Sequence, residues 1–275
     1  MLFPTVEWRL LLDSPAEGAW NMAVDEAILD GVLAGTSPPT LRLYAWAPAC
    51  LSLGYGQSAA DVDWQALETL GWMAVRRPTG GRAILHTDEL TYSVTGLGRD
   101  PRLDGGIIKS YQQLAGGLLC ALGNLSLSAA SQSTSAGPAI GDGGPVCFEV
   151  PSNWEITVSG KKLIGSAQMR RKGGVLQHGA LPLFGDLTRI TRVLAYSSDT
   201  ERRSAAERLL LHATSVERTL GRPVAWEAAA DAFRTGFADA LQINFISGEL
   251  SSEEDAHAHR LMEEKYGSAL WTKRR

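Results

Sequence analysis

The sequence predicts an α+β fold: a mixed, largely antiparallel sheet flanked by helices. Two observations carry that prediction. Segments that alternate apolar and polar residues follow one another through tight turns, as hairpins, with no helical crossover between each pair. Other segments repeat an apolar residue every three or four positions, which marks helices that bury one face.

The first helix is predicted over 21–33, with Asn21 as N-cap and Val24, Ile28 and Val32 on one face. Leu41, Leu43 and Ala45 alternate with Arg42, Tyr44 and Trp46, giving a strand over 40–46. A short helix at 61–70 stops at Gly71 and leads into a strand at Met73–Arg76, and residues 83–95 read as two strands joined by a turn at Thr87-Asp88-Glu89. Ile107, Tyr111, Leu114, Leu118 and Leu122 step along one face of a long helix. From Ser131 to Pro145 the chain is dominated by Ser, Thr, Ala, Gly and Pro and has too little apolar content to pack. A hairpin turns at Ser159-Gly160, and its second strand returns through Lys172-Gly173-Gly174 into Val175–Leu183. From Leu187 the pattern is mostly helical, and Ser251 with Glu254 forms a capping box for a last helix running toward Tyr266. No linker or repeat divides the first 185 residues, so one domain is expected over 1–275, with a helix-rich portion at 186–275.

The apolar share of 44% and charged share of 20% are ordinary for a globular protein. No apolar run approaches the ~20 residues of a membrane span, and Met-Leu-Phe-Pro-Thr-Val-Glu-Trp lacks the form of a secretory signal, so a cytoplasmic protein is expected. A net charge of −4 argues against nucleic-acid binding. Lys161, Lys162, Arg170, Arg171 and Lys172 nevertheless form one basic group, and Arg76, Arg77 and Arg82 a second. Each reads either as a site for an anionic ligand or acidic partner, or as a solvated face.

Three cysteines, at 50, 120 and 147, are too few and too scattered for a disulfide framework or a zinc site. Cys50 and Cys120 lie in core patterns. Cys147 follows a glycine-rich run and precedes Lys162 on the next hairpin. A loop thiol with a nearby lysine has the parts of covalent acyl transfer: the thiol takes the acyl group as a thioester, and the ammonium assists it or the carbonyl oxygen. A lone cysteine also reads as a small buried hydrophobe.

The Gly80-Gly81 pair after a strand lets backbone N–H groups approach a ligand, and Arg77 and Arg82 flank it. No Walker loop occurs. His86 and Asp88 have no third ligand at metal spacing, which favours a hydrogen-bonding histidine. Regular alternation puts Lys162 on one side of its strand with Ile164 and Ser166, where an apolar face would disfavour the charged amine, while Lys161 reads as a surface lysine beside the turn. Gly165, Ser166 and Ala167 are small enough to leave room for a ligand against the strand.

Arg76-Arg77-Pro78-Thr79-Gly80-Gly81-Arg82-Ala83 with Leu85-His86, together with Gly160-Lys161-Lys162 and Gly165-Ser166-Ala167-Gln168, resembles the biotin/lipoate protein ligase superfamily. Val146-Cys147-Phe148 with Pro151-Ser152, and Leu176-Gln177-His178-Gly179, look like its cysteine-dependent octanoyltransferase branch. The likeness runs from Trp8 through Asn21–Ala27 to Lys265-Tyr266 and Trp271. It implies the mixed sheet of biotin ligases and class II synthetase cores. It also implies a two-step reaction: octanoyl passes from acyl carrier protein to Cys147, then to a lysine of a lipoyl domain such as that of the glycine cleavage H protein. Lys162 matches the family's lysine at the acyl carbonyl. Gly80, Gly81, Arg82 and Ala83 match the loop lining the acyl tunnel, with Arg77, His86, Gly165, Ser166, Ala167, His178 and Gly179 as further substrate-binding positions. A thioester donor is already activated, so no cofactor is expected, and the resemblance carries neither nucleic acid nor membrane as partner and a monomeric chain. The rivals are an ATP-dependent lipoate–protein ligase, in which Lys162 and the glycine loop would hold lipoyl-adenylate, the amidotransferase branch, and a non-catalytic acyl-binding protein.

Overall fold

The computed structural model describes residues 3–132 and 155–274. The low-complexity stretch from 133 onward and Cys147 therefore lie outside the described residues.

In chain order the elements are β1 (Val6–Leu12), α1 (Gly18–Ala34), β2 (Thr40–Tyr44), β3 (Cys50–Leu53), α2 (Trp64–Thr69), β4 (Met73–Arg76), β5 (Ile84–His86), β6 (Glu89–Leu97), α3 (Gly106–Asn124), β7 (Ala130–Gln132), β8 (Glu155–Val158), β9 (Lys161–Arg171), β10 (Gly174–Pro182), α4 (Asp199–His212), α5 (Val216–Leu220), α6 (Trp226–Leu241), β11 (Ile243–Ser247), α7 (Ser252–Leu261) and α8 (Ala269–Thr272). The strands form an eight-stranded sheet, β11-β1-β2-β6-β10-β9-β8-β7, and a three-stranded sheet, β4-β3-β5. In the large sheet only β11/β1 and β1/β2 are parallel. The predicted mixed, largely antiparallel α+β class is what forms.

The hairpins form where the turn chemistry demands them. Ser159 and Gly160 take φ of 50° and 75°, and Lys172 and Gly173 take 51° and 87°. Two successive left-handed residues match the right-handed twist of the strands they join. Ser251 and Glu254 cap α7 reciprocally, as the spacing predicts.

One expectation fails for a tertiary reason, and two hold with an addition. Asn21 is no N-cap: α1 starts at Gly18, and the Asn21 amide donates to Ala16 O and Ala45 O and accepts from Arg42. The two strands within 83–95 form and are joined at Thr87-Asp88, but they part: β5 pairs with β3 in the small sheet while β6 pairs with β2 and β10 in the large one. The mostly helical stretch after Leu187 also contains β11, which extends the large sheet alongside β1.

Packing puts α3 and α6 on one face of the large sheet, where Tyr92 lies 5.9 Å from both Phe233 and Phe237. The other face carries α1, whose Met22, Val24 and Ile28 are buried against Tyr44 and Trp46. The small sheet makes its own core with Val62, Leu67, Ile190, Val193 and Leu194. A gap between the small sheet, α1 and the middle of the large sheet is left to be lined.

Candidate active site

That gap is a cleft enclosing about 530 Å³ of space, part of it open to solvent. Its floor comes from the large sheet: Tyr44 on β2, Thr91 on β6, His178, Gly179 and Ala180 on β10, and Gly165, Ser166 and Ala167 on β9. Its roof comes from Met22 on α1 and from Ser52, Arg77, Gly81, Ile84 and His86 in and around the small sheet. Trp46 forms an end wall, stacked on His86 with ring centroids 3.9 Å apart and bonded through Nε1 to Thr91 Oγ1 at 2.8 Å. The lining is mostly apolar, as an alkyl chain needs; each buried methylene contributes about 0.8 kcal/mol.

The register of β9 decides where Lys162 lies. Ile164 pairs with Ile156, but Lys162 pairs with Thr157, so β9 carries one extra residue, Leu163. Directly opposed residues share a face, and Ile156 and Thr157 are on opposite faces. The bulge therefore turns Lys162 away from Ile164 and onto the side of Thr157, Gly165 and Ala167, the face that floors the cleft. This corrects the alternation predicted from sequence, which grouped Lys162 with Ile164 and Ser166. Nor is its surrounding apolar: Lys162 is 3% exposed, and its Nζ meets Glu155 Oε1 at 2.7 Å. Lys162 stands beyond Gly165 on the floor strand, about 10 Å along it at ~3.3 Å per residue. Lys161 is half-buried rather than a surface lysine, donating to Leu210 O at the end of α4.

Other sequence-chosen residues divide clearly. Arg77, Gly81, His86, Gly165, Ser166, Ala167, His178 and Gly179 come together around the cleft. Gly80 and Arg82 belong to the same turn without lining it, and Ala83 is buried in the core of the small sheet. Gly179 is glycine for packing: a Cβ there would come within 2.7 Å of Tyr92 and 2.6 Å of Ser166 Oγ. The Ser166 hydroxyl is bonded to Tyr92 Oη at 2.7 Å on the α3–α6 side.

The basic groups are also spent internally. Arg76 is fully buried and donates to the carbonyls of Gly54, Gln57, Thr272 and Arg274. Arg77 donates to Ser52 O, Gly80 O and Arg82 O, so it braces the turn. Arg170 holds Leu103 O and Gly106 O, and Arg171 pairs with Glu26 and Asp30. Arg76, Arg77, Arg170 and Arg171 thus hold their own backbone and acids in place, a role that neither reading of the basic groups, a ligand or partner site or a solvated face, included. Asp88 likewise pairs with Arg189, and His86 with Glu89 and Ser52, which is hydrogen bonding rather than metal ligation.

Both cleft histidines sit between a carboxylate and a hydroxyl. His178 Nε2 lies 2.6 Å from Thr79 Oγ1, and its Nδ1 lies 3.5 Å from Asp25 Oδ2. Nε2 of His86 lies 2.7 Å from Ser52 Oγ, and Nδ1 lies 2.6 Å from Glu89 Oε1. Burial alone would raise the Asp25 pKa, but the His178 hydrogen bond, the Arg42 charge and the Ser93 hydroxyl outweigh it and hold the carboxyl below its usual range. Burial lowers the His178 pKa, with Asp25 opposing and Arg77 and His86 adding to the fall. A charged Asp25 beside a neutral His178 fixes the tautomer: Nδ1–H faces the carboxylate and Nε2 accepts the Thr79 proton.

Sequence reading missed Asp25, Ser52, Thr79 and Trp46. One signal was available: Asn21 and Asp25 form an i,i+4 polar pair on a mostly apolar helix, and both prove to be fully buried.

The chain is thus a two-sheet α+β domain with a glycine turn and the small residues of β9 around an apolar cleft. The lipoyl protein ligase A/B catalytic domain model matches residues 17–238, and the chain belongs to that family. Within the family its likeness is to the octanoyltransferase, hence acyltransferase, branch. It is 40% identical over 98% of both chains to octanoyltransferase LipM of Symbiobacterium thermophilum. To the protein of that name from Kyrpidia tusciae it is 41% identical, over 98% of this chain and 99% of the other. Among solved structures, a bi-partite lipoate protein ligase from Thermoplasma acidophilum superposes with a TM-score of 0.81 at 25% identity, covering 98% of this chain and 96% of that one. A lipoate-protein ligase A bound with ATP gives 0.80 at 26% identity, over 98% and 99%.

Proposed function

We propose that the chain transfers octanoyl groups in lipoate biosynthesis, taking octanoyl from acyl carrier protein onto Cys147 and passing it to a lysine of a lipoyl domain. The observation that carries this reading is the bulge that turns Lys162 to the face of β9 whose Gly165 and Ala167 floor an apolar cleft, in a chain similar over its length to octanoyltransferases. In the first step the Cys147 thiolate attacks the thioester carbonyl, the donor's thiol leaves, and the octanoyl chain lies in the cleft. Lys162 supplies a fixed positive charge near the carbonyl oxygen, where negative charge develops. In the second step the ε-amine of the acceptor lysine attacks the new thioester, loses a proton, and frees Cys147 as the amide forms. Lipoyl domains of the glycine cleavage H protein type fit as acceptors. The cleft's own residues need neither metal nor nucleotide in either step, because the thioester arrives activated.

The test is transfer from octanoyl-acyl carrier protein to a lipoyl domain without ATP. Octanoylated lipoyl domain is the expected product. A strict ATP requirement would instead favour an ATP-dependent lipoate–protein ligase, the reading to which the ATP-bound structural neighbour lends weight.

A further inference from the structure

The Thr79–Arg82 turn, with Gly81 at φ 91°, has little to hold it in one shape by itself. It is nevertheless tied at both ends. At one end Thr79 Oγ1 is bonded to His178, whose other nitrogen faces Asp25. The Thr79 carbonyl accepts from Tyr55 N at 2.8 Å. At the other end the path runs from Glu89 through His86 to Ser52 Oγ, which accepts from Arg77 Nη1 at 3.1 Å. Arg77 Nη2 then reaches Gly80 O at 2.8 Å and Arg82 O at 2.7 Å. Gly54 lets β3 press on the turn, since a Cβ there would come within 1.8 Å of Gly81 O.

We propose that His178 and His86 are positioning residues for octanoyl transfer: through Thr79 and through Ser52–Arg77 they fix the Gly80–Gly81 turn in the shape it presents to the cleft. The inference rests on the transfer reading above. Two buried imidazoles, each backed by a carboxylate, are a costly way to line an apolar slot, because every polar atom removed from water must be repaired by a partner. A tight turn needs no such support. A turn whose backbone donors must stay aimed at a carbonyl does, since a site loose by an ångström loses most of its rate advantage. The tether therefore acts on turnover more than on binding of the alkyl chain, which the apolar walls supply.

Full-length Thr79→Val keeps the side chain's shape and removes its hydroxyl, Thr79→Ser keeps the hydroxyl, and His178→Ala removes the tether's other half. With octanoyl-acyl carrier protein and a lipoyl domain, Thr79→Val and His178→Ala are expected to lose kcat on the order of tenfold to a hundredfold with KM for the donor shifted less than about threefold, and Thr79→Ser to stay within about threefold of wild type. Amide hydrogen exchange over 79–83, measured without substrate, is expected to speed up by about fivefold or more in Thr79→Val and not in Thr79→Ser. Unchanged exchange in Thr79→Val, or a loss confined to KM, overturns the proposal. Should the wild type transfer no octanoyl, the function reading fails, while the exchange measurement still decides the tether.

Discussion

Lys162 Nζ lies 2.7 Å from Glu155 Oε1, and the pair is buried in the β8–β9 hairpin, on the face of β9 that carries Gly165 and Ala167. The bulge at Leu163 makes the pair possible, because it puts both side chains on one face. Glu155 therefore fixes where the Lys162 charge stands. Removing one partner of a buried ion pair is destabilising, by up to about 3–5 kcal/mol. Glu155→Gln is expected to lower the melting temperature, and Glu155→Gln with Lys162→Met to recover part of the loss. A double-mutant cycle with no coupling between the two would contradict the pairing.

Lys162→Ala alone is expected to cripple acyl-enzyme formation, but it also breaks the buried ion pair with Glu155. The cleaner comparison is Lys162→Met in the Glu155→Gln background, read by single-turnover acylation. Loss of acylation with folding retained is the expected outcome; wild-type acylation in that double variant would remove Lys162 from the chemistry.

His178 is expected to titrate below its ordinary value of 6.5, because burial, Arg77 and His86 together outweigh Asp25. The unfolded chain then takes up the proton first, so this group's contribution to stability is complete above pH 6.5 and is lost as pH falls from there toward the lower folded value. The imidazole resonance of His178, assigned with His178→Gln, checks this by its NMR midpoint, and a midpoint above 6.5 would reverse the sign.

Glu254 joins α7 to the start of the fold. It accepts from both terminal nitrogens of Arg9 at 2.6 Å, from Ser37 Oγ at 2.6 Å and from Ser251 N at 2.8 Å. Burial alone would raise its pKa, but these donors bring it below 4.5. Its stabilisation is present above that value and is lost as pH falls through the folded pKa. Glu254→Gln should cost about 1–3 kcal/mol at pH 7 and flatten the acid limb of a melting-temperature series. An acid limb as steep as the wild type's would show that the carboxylate adds nothing.

The elements whose shape is decided locally were legible in the sequence. The Ser159-Gly160 and Lys172-Gly173 turns, the long amphipathic helix α3 and the Ser251–Glu254 box all follow from a few neighbouring residues. What depended on distant partners was not. Nothing near Glu89 says that β5 and β6 part to different sheets, and nothing in Ile243–Ser247 names β1 as its neighbour. The site shows the same division. The glycine turn and the small residues of β9 stand out as motifs, and they do meet at the cleft. The facing of Lys162 depends on a one-residue bulge, and the arginines look like ligand-binding groups until their carbonyl partners are seen.

The proposed transfer passes through a covalent octanoyl-Cys147 thioester, which intact-mass measurement of the protein after incubation with octanoyl-acyl carrier protein, without ATP, would detect. One octanoyl adduct is expected on the wild type, discharged by a lipoyl domain, and none on Cys147→Ala. Undiminished transfer to the lipoyl domain by Cys147→Ala would contradict it.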